Sequence, residues 1–274
     1  MVKSSIHLFV IYLLGCFLFS GCANIVPPVG GPRDSLSPKL VKASPSLNAT
    51  NFQGNRINLQ FDEFVELQNI YENVIITPTQ ERFPQIDARL RNITIKLKDT
   101  LKPATTYTIQ FGNAIRDVNE GNILSNFSYV FSTGNKLDSM ILEGRVLLAE
   151  NGKVDSTLIV MLHGNLNDSA VYKENPLYIT RLNGKGYFKF EHLPARKFIL
   201  YALKGAGGRK YTSNKMLFAF ADSIVNTASN NQPVNLYAFV AEPNNLKTQN
   251  VAEIKTKLTD KKIRYQLNLE NGVQ

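Results

Sequence analysis

Two hydrophobic rhythms divide this chain. Residues 6–19 are almost wholly apolar, whereas from Ile57 onward apolar residues tend to recur at every second position. The first run is about fourteen residues long, short of the roughly 20 that a helix needs to cross a hydrocarbon core. With Lys3 ahead of it and the small Ser20 and Gly21 behind it, it predicts an export signal over residues 1–21. The second rhythm is the period of a strand that buries one face. Ile57-Asn58-Leu59-Gln60-Phe61 alternates cleanly, Ile93-Thr94-Ile95-Lys96-Leu97-Lys98 repeats the pattern, and Tyr107-Thr108-Ile109-Gln110-Phe111 and Tyr129-Val130-Phe131 complete the series. Short segments of this kind, rich in β-branched and aromatic residues and separated by turns, predict an antiparallel sandwich over residues 39–135. No segment there carries a helical period.

A polar stop at Phe131-Ser132-Thr133-Gly134-Asn135 precedes a new start at Ile141-Leu142-Glu143-Gly144-Arg145-Val146. A second β-domain is therefore expected over residues 138–243, with strands at 157–162, 177–180, 187–190, 198–203, 216–221 and 234–241. Asn151-Gly152 and Asn183-Gly184 are its hairpin signals, and the Gly-rich 204–210 stretch reads as a loop. Past Pro243, residues 244–274 are an extension or a partial third unit, because Ile263-Arg264-Tyr265-Gln266-Leu267-Asn268-Leu269 alternates once more. At the other end, Pro27, Pro28, Gly30, Gly31, Pro32 and Pro38 rule out regular structure. Residues 22–38 read as a flexible tether. The fold class expected is all-β, tandem Ig-like antiparallel sandwiches after a signal peptide and a Pro/Gly-rich tether.

Cysteine usage narrows the chemistry. Of the two cysteines, Cys16 lies inside the apolar run and Cys22 follows Leu18-Phe19-Ser20-Gly21. That ending resembles the bacterial lipobox, which implies cleavage between Gly21 and Cys22 and acylation of Cys22. Cleavage at Cys16 would leave Phe17-Leu18-Phe19 on the mature chain and cut the apolar run short. Several acyl chains, at about 0.8 kcal/mol per buried CH₂, give a permanent anchor. A mature chain without a free thiol excludes a disulfide framework, a zinc cluster and a thiol nucleophile. The formal charge of +9 becomes +8 when Lys3 leaves with the signal. On an exported protein it reads as solubility and attraction to anionic lipid or lipopolysaccharide phosphate rather than to nucleic acid.

Catalytic constellations are not legible. His163 and His192 stand far apart, each expected to cap a strand or face solvent, and no G-x-S-x-G element supports a serine nucleophile. Asp62, Glu63 and Glu66 form the tightest acidic group, but strand neighbours 62 and 63 would point to opposite faces. The Asp117/Asn119/Asn122 turn offers too few anionic oxygens for a hard cation. No catalytic residue, metal or cofactor is expected.

Two stretches resemble known modules. Leu101-Lys102-Pro103-Ala104-Thr105-Thr106-Tyr107 and Asp117-Val118-Asn119-Glu120-Gly121-Asn122, with Ile57–Phe61 and Asp62-Glu63, resemble the bacterial Ig-like domain of surface-layer proteins. There the first motif leads into a strand and the second is a turn, in which Gly121 tolerates positive φ. Gly184-Lys185-Gly186-Tyr187-Phe188-Lys189-Phe190, Leu193-Pro194 and residues 198–202 resemble the carboxypeptidase regulatory-like, or collagen-adhesin B-type, sandwich. Together with Cys22-Ala23-Asn24-Ile25 and Pro28-Val29-Gly30-Gly31-Pro32-Arg33-Asp34, they resemble a family of Bacteroidota lipoproteins. Six of the ten aspartates precede Ser or Thr, at Ser35, Thr100, Ser139, Ser156, Ser169 and Ser223. These positions resemble the O-glycosylation signal of that phylum, and Asp-Ser is equally good turn chemistry.

The resemblance implies a non-catalytic outer-membrane lipoprotein, held by its lipid anchor and acting as scaffold, interaction module or accessory subunit of an envelope complex. A glycan-binding accessory protein is the alternative, against which stands the absence of tryptophan. Partners expected are the membrane, other envelope proteins and possible glycan or lipopolysaccharide. The residues after Cys22 lack an acidic export cluster, which favours the periplasmic face.

Overall fold

A computed structural model describes residues 31, 33–204, 209–229 and 232–241. The signal segment, Cys22 and the alternating 263–269 stretch lie outside the described residues, as does most of the 204–210 loop. Among the described residues, those up to Leu36 belong to a separate N-terminal unit, and those from Ser37 to Ala241 form one unit.

The alternation of Arg56–Phe61 (β2) is realised residue by residue. Ile57, Leu59 and Phe61 are buried and the intervening positions exposed. β2 pairs antiparallel with Leu40–Ser44 (β1) on one side and Asn92–Lys96 (β6) on the other, and Gln85–Arg89 (β5) follows β6 to complete the first sheet. Facing it is a three-stranded sheet of Ile75–Thr77 (β4), Thr106–Gln110 (β7) and Ser128–Ser132 (β10), with β7 central. Their inward residues, including Ile93, Ile95, Tyr107, Ile109, Tyr129 and Phe131, make one core. Phe131 packs against Phe52, Tyr107 and Tyr129. A smaller sheet of Val65–Leu67 (β3), Ile115–Asp117 (β8) and Ile123–Leu124 (β9) closes the side.

The strand reading missed β1, β3, β4, β5, β8 and β9. Most are short, β5 carries few apolar residues and those of β1 do not alternate, so each leans on pairing with neighbours rather than on its own pattern. The turn at Ile70–Asn73 and another at Ala170–Lys173 are single helical turns, too short to show a period.

The second sandwich follows one hydrogen-bonded path. Its strands run in the order Tyr178–Arg181 (β13), Leu158–His163 (β12), Lys197–Lys204 (β15), Leu217–Phe220 (β16), Val234–Val240 (β18), Met140–Leu148 (β11) and Tyr187–Leu193 (β14), with Val225–Asn226 (β17) alongside β15. Two features depart from the sequence reading. β11 and β18 run parallel, and neither Asn-Gly signal closes a hairpin ladder. Asn183 does shape a turn, accepting from Lys185 N and Tyr187 N, yet β14 pairs with β11 and not with β13. The positive φ falls on Gly186, not Gly184.

The polar break at 132–135 does not separate independent bodies. β4 is buried on both faces: Ile76 enters the first core, while Ile75 points outward into a cluster with Met161, Val171, Ile179, Ile199, Tyr201 and Leu203 of the second sandwich. Thr106 and Thr108, on the outward face of β7, are also buried, and Thr106 Oγ1 accepts from Asp138 N at 2.7 Å. Thr79 N donates to Leu177 O at 2.8 Å, Thr79 Oγ1 bonds Pro176 O, and Arg181 donates to Asn73 O. Burying an apolar side chain such as Ile75 contributes about 1.5–3 kcal/mol, so the joint is a packed interface.

Candidate interaction surfaces

Of the acidic residues singled out in sequence, Asp62 and Glu63 lie in a bend, whereas Glu66 and Asp117 lie on the short strands β3 and β8. Asp62 and Glu63 follow β2 in a bend, not on a strand, so the opposite-face argument does not apply; Asp62 instead accepts from Lys39 N at 2.7 Å. Glu66 pairs with Arg116 across β3 and β8. The 117–122 turn brings a grouping that sequence spacing missed. Glu63, Asp117 and Glu120 each place a carboxylate oxygen within 4.8 Å of the others. Strand register causes this, because Asp117 opposes Val65, two residues beyond Glu63.

Asp117 is nevertheless committed to the backbone. It is fully buried, and its oxygens accept from Glu120 N at 2.6 Å, Gly121 N at 3.1 Å and Asn122 N at 2.6 Å. Burial alone would raise its pKa. The N–H groups of Glu120, Asn122, Gly121 and Asn119 outweigh that and hold the carboxyl below the usual range. Gly121 takes φ +79 inside this turn, as the motif implied. Asp99 is held in the same way: burial would raise it, but Arg82 and the Arg82 and Glu81 amides bring it down.

The six Ser/Thr positions all lie outside strands and helices. Ser35, Thr100, Ser139, Ser156 and Ser223 are exposed and Ser169 is half-buried. Asp34 and Asp155 accept from the amides two residues on, Leu36 N and Thr157 N, which is Asx-turn chemistry. Ser139 sits at the joint, beside Asp138, whose carbonyl lies 3.2 Å from His192 Nδ1.

The two histidines are not brought together as a catalytic pair. His163 ends β12, but it is buried rather than solvent-facing, edge-on to Tyr201, and its Nε2 has no hydrogen-bond partner among the described residues. Desolvation lowers its pKa, against a weaker pull upward from Glu174. A depressed histidine pKa means the unfolded chain binds the proton first. Stability is therefore full above the unfolded value, about 6.5, and declines as pH falls below it towards the folded value. His163→Leu should flatten this decline, narrowing the gap between urea midpoints at pH 7.5 and 5.5 relative to the parent.

Two kinds of surface remain for recognition. Between the sandwiches lies a cleft of about 670 Å³. Its floor is the outer face of β11 and β14, with Glu143, Tyr187 and Lys189, and Asn73, Gln110 and Ser128 of the first sandwich form the wall. Lys189 is paired with Glu191 at 2.7 Å, and Arg145 stacks on Tyr187 at 5.0 Å. Cations and anions are balanced there, beside a half-exposed aromatic ring. The second surface is the outer face of β16 and β18. Phe220, Tyr237 and Phe239 are exposed there, because inward Leu236 and Ala238 alternate with outward Tyr237 and Phe239. The alternation was legible in sequence, but which of the two faces stays uncovered was not.

Residues 34–133 match the bacterial Ig-like domain. The chain is an Ig-like β-sandwich protein. It is similar to the N-terminal part of the bacterial S-layer protein SbsC, at 17% identity over 65% of this chain and 43% of that one, with a TM-score of 0.27. It is also similar to BcpA, the major pilin subunit of Bacillus cereus, at 13% identity over 73% and 69% of the two chains, with a TM-score of 0.24. A third likeness is to an L,D-transpeptidase from Mycobacterium smegmatis, at 11% identity over 46% of this chain and 54% of that one, TM-score 0.25. The chain thus spans about half the length of the transpeptidase and less than half of the S-layer fragment. Likenesses this faint carry no argument about activity. No curated protein matches the chain. None of these likenesses bears on the carboxypeptidase regulatory-like assignment of the second sandwich. Among the described residues, no helix is long and apolar enough to cross a membrane.

Proposed function

We propose that the chain acts by binding, as a non-catalytic lipoprotein of the outer membrane. In this reading Cys22 carries the lipid, residues 22–38 are the tether, and the paired sandwiches are a scaffold or accessory subunit of an envelope complex on the periplasmic side. The observation that carries it is the joint itself. With Ile75 seated among Met161, Ile179, Ile199 and Leu203, and backbone bonds from Thr79 N to Leu177 O, the two sandwiches hold their loops and strand faces at fixed spacing. A fixed spacing suits a protein that positions partners, since little ordering is left to be done on binding. The exposed Ser/Thr turns suit O-glycosylation at Ser35, Thr100, Ser139, Ser156, Ser169 or Ser223, which intact mass of the mature protein would reveal as hexose-sized increments.

The test is affinity purification of the tagged full-length protein from outer membranes in mild detergent, with Cys22→Ala alongside. A stoichiometric protein partner that is lost with the lipid is the expected result. Recovery of the parent protein alone, from membranes where it is abundant, overturns the scaffold reading.

The interdomain cleft favours a second reading, glycan recognition. Tyr187 is half-exposed and held by Arg145 on the cleft floor, among amide, hydroxyl and paired charged side chains. Such a set suits a neutral polyhydroxylated ligand better than an anion. Binding on a glycan array that disappears in Tyr187→Ala would establish it.

A further inference from the structure

One end of the first sandwich carries apolar side chains that its core does not use. β1 begins there at Leu40, opposite Phe61 at the end of β2. β5 turns into β6 at the same end, because Gln60 opposes Asn92 and Asn92 opposes Arg89, which leaves Leu90 and Arg91 as the hairpin tip. Val65 N donates to Leu90 O at 2.9 Å and Val118 N donates to Phe64 O at 3.0 Å, so the Leu90, Phe64 and Val118 segments are neighbours. All three residues are exposed, and the Arg91 guanidinium lies 5.5 Å from the centre of the Phe64 ring. Scattered exposed apolar residues need no explanation, but neighbouring ones at one end of a domain do.

Leu90 is the informative member. It takes φ +56 at the tip, a left-handed conformation that glycine or asparagine adopts readily and a bulky apolar residue rarely does. Such strain persists where something offsets it, yet Leu90 is 65% exposed, so packing within the fold offsets little.

The chain indicates what lies opposite. In the reading proposed above, Cys22 is seated in the bilayer, and the tether joins the sandwich at this end. Lys39 N donates to Asp62 Oδ1 at 2.7 Å and Asp62 N donates to Lys39 O at 3.1 Å, two residues before Phe64. Three side chains burying about 200 Å² each fall short of the roughly 800 Å² per partner of a specific protein interface. A bilayer contact needs no such area, since the anchor itself supplies the local concentration. The surrounding charge is mixed: Lys39, Arg89 and Arg91 are exposed, and Asp62, Glu63 and Glu120 stand in the adjoining turns. Apolar burial rather than attraction to anionic headgroups is then the driving term.

We propose that Phe64, Leu90 and Val118 insert at the headgroup–acyl boundary of the bilayer that holds the lipid anchor, with Arg89 and Arg91 among the headgroups. The contact holds this end of the sandwich against the membrane instead of leaving it free on its tether. The inference rests on the anchor at Cys22.

The chain contains no tryptophan, so Leu90→Trp gives the full protein, as purified from membranes, a single reporter. Leu47→Trp is the matched control, because Leu47 is also exposed and lies three residues past the opposite end of β1. In phosphatidylcholine vesicles with brominated acyl chains, Leu90→Trp emission should be quenched about twofold or more relative to unbrominated vesicles. The quenching should persist in about 1 M salt, where the Debye length is ~3 Å, and Leu47→Trp should show none. Intact mass of the same preparations reports the lipid on Cys22. Equal emission from the two vesicle types for Leu90→Trp, on a chain that carries the lipid, overturns this inference and leaves the anchor standing. Quenching that salt abolishes overturns apolar insertion, as does quenching of both reporters alike. A chain without the lipid overturns the anchor, and this inference with it.

Discussion

Gly144→Ala should lower the stability of the second sandwich by about 3 kcal/mol or more, beyond the range usual for one added methyl group. A Cβ at Gly144 would lie 1.9 Å from the Val234 carbonyl oxygen and 2.7 Å from Phe188 Cζ. The Phe188 ring could shift, but Val234 is backbone, held opposite Gly144 by the parallel β11–β18 pairing. The clash can be relieved only by parting the two strands that close the sandwich. Gly152→Ala is the matched control. Gly152 takes φ +68, and a methyl group added there would meet nothing within 4 Å, so it should lose about 1 kcal/mol from backbone strain alone. Urea unfolding followed by far-UV circular dichroism checks both, and a Gly144→Ala midpoint within error of Gly152→Ala would refute the close-approach argument.

Asp117→Ala should cost the Ig-like domain about 3 kcal/mol, the order of one or two hydrogen bonds to a charged acceptor. It strips the acceptor from Glu120 N, Gly121 N and Asn122 N at once. The pH dependence follows from the depressed carboxyl. Its contribution is present in full above the unfolded value, about 3.9, and is lost as pH falls through the lower folded value. The parent protein should therefore lose stability more steeply than Asp117→Asn below about pH 4. Parallel acid-unfolding curves for the two would show that the 117–122 turn does not depend on the ionised carboxylate.

Alternation made the longer strands legible. At Arg56–Phe61 the inward side chains alternate with polar ones along the strand, and the core they build is local to that pattern. The Pro103 and Gly121 motifs were legible for a similar reason, since each turn demands a particular backbone conformation from its own residues. β4 was not legible: three residues carry no period, and Ile75 and Ile76 face two different cores. The sequence does contain a hint at β7, where Thr106 and Thr108 occupy the outward face with side chains compatible with burial.

The candidate site was less legible than the fold. Asp117 stood out, but its grouping with Glu63 and Glu120 depends on the β3–β8 register. His163 carried no sign that it would be buried, because its cover comes from elements distant in the chain.

By itself, the sequence determined the all-β class, the pattern of inward and outward faces in the longer strands, and the chemistry of the main turns, because these depend on a residue and its near neighbours. Only the tertiary structure decided that the sandwiches pack through Ile75, that β11 and β18 run parallel so that Gly144 meets Val234, and that no described element packs over the Phe220, Tyr237 and Phe239 face. Those outcomes depend on which faces meet, and pairing between distant segments is set by the packing of the whole unit rather than by the period of any one strand.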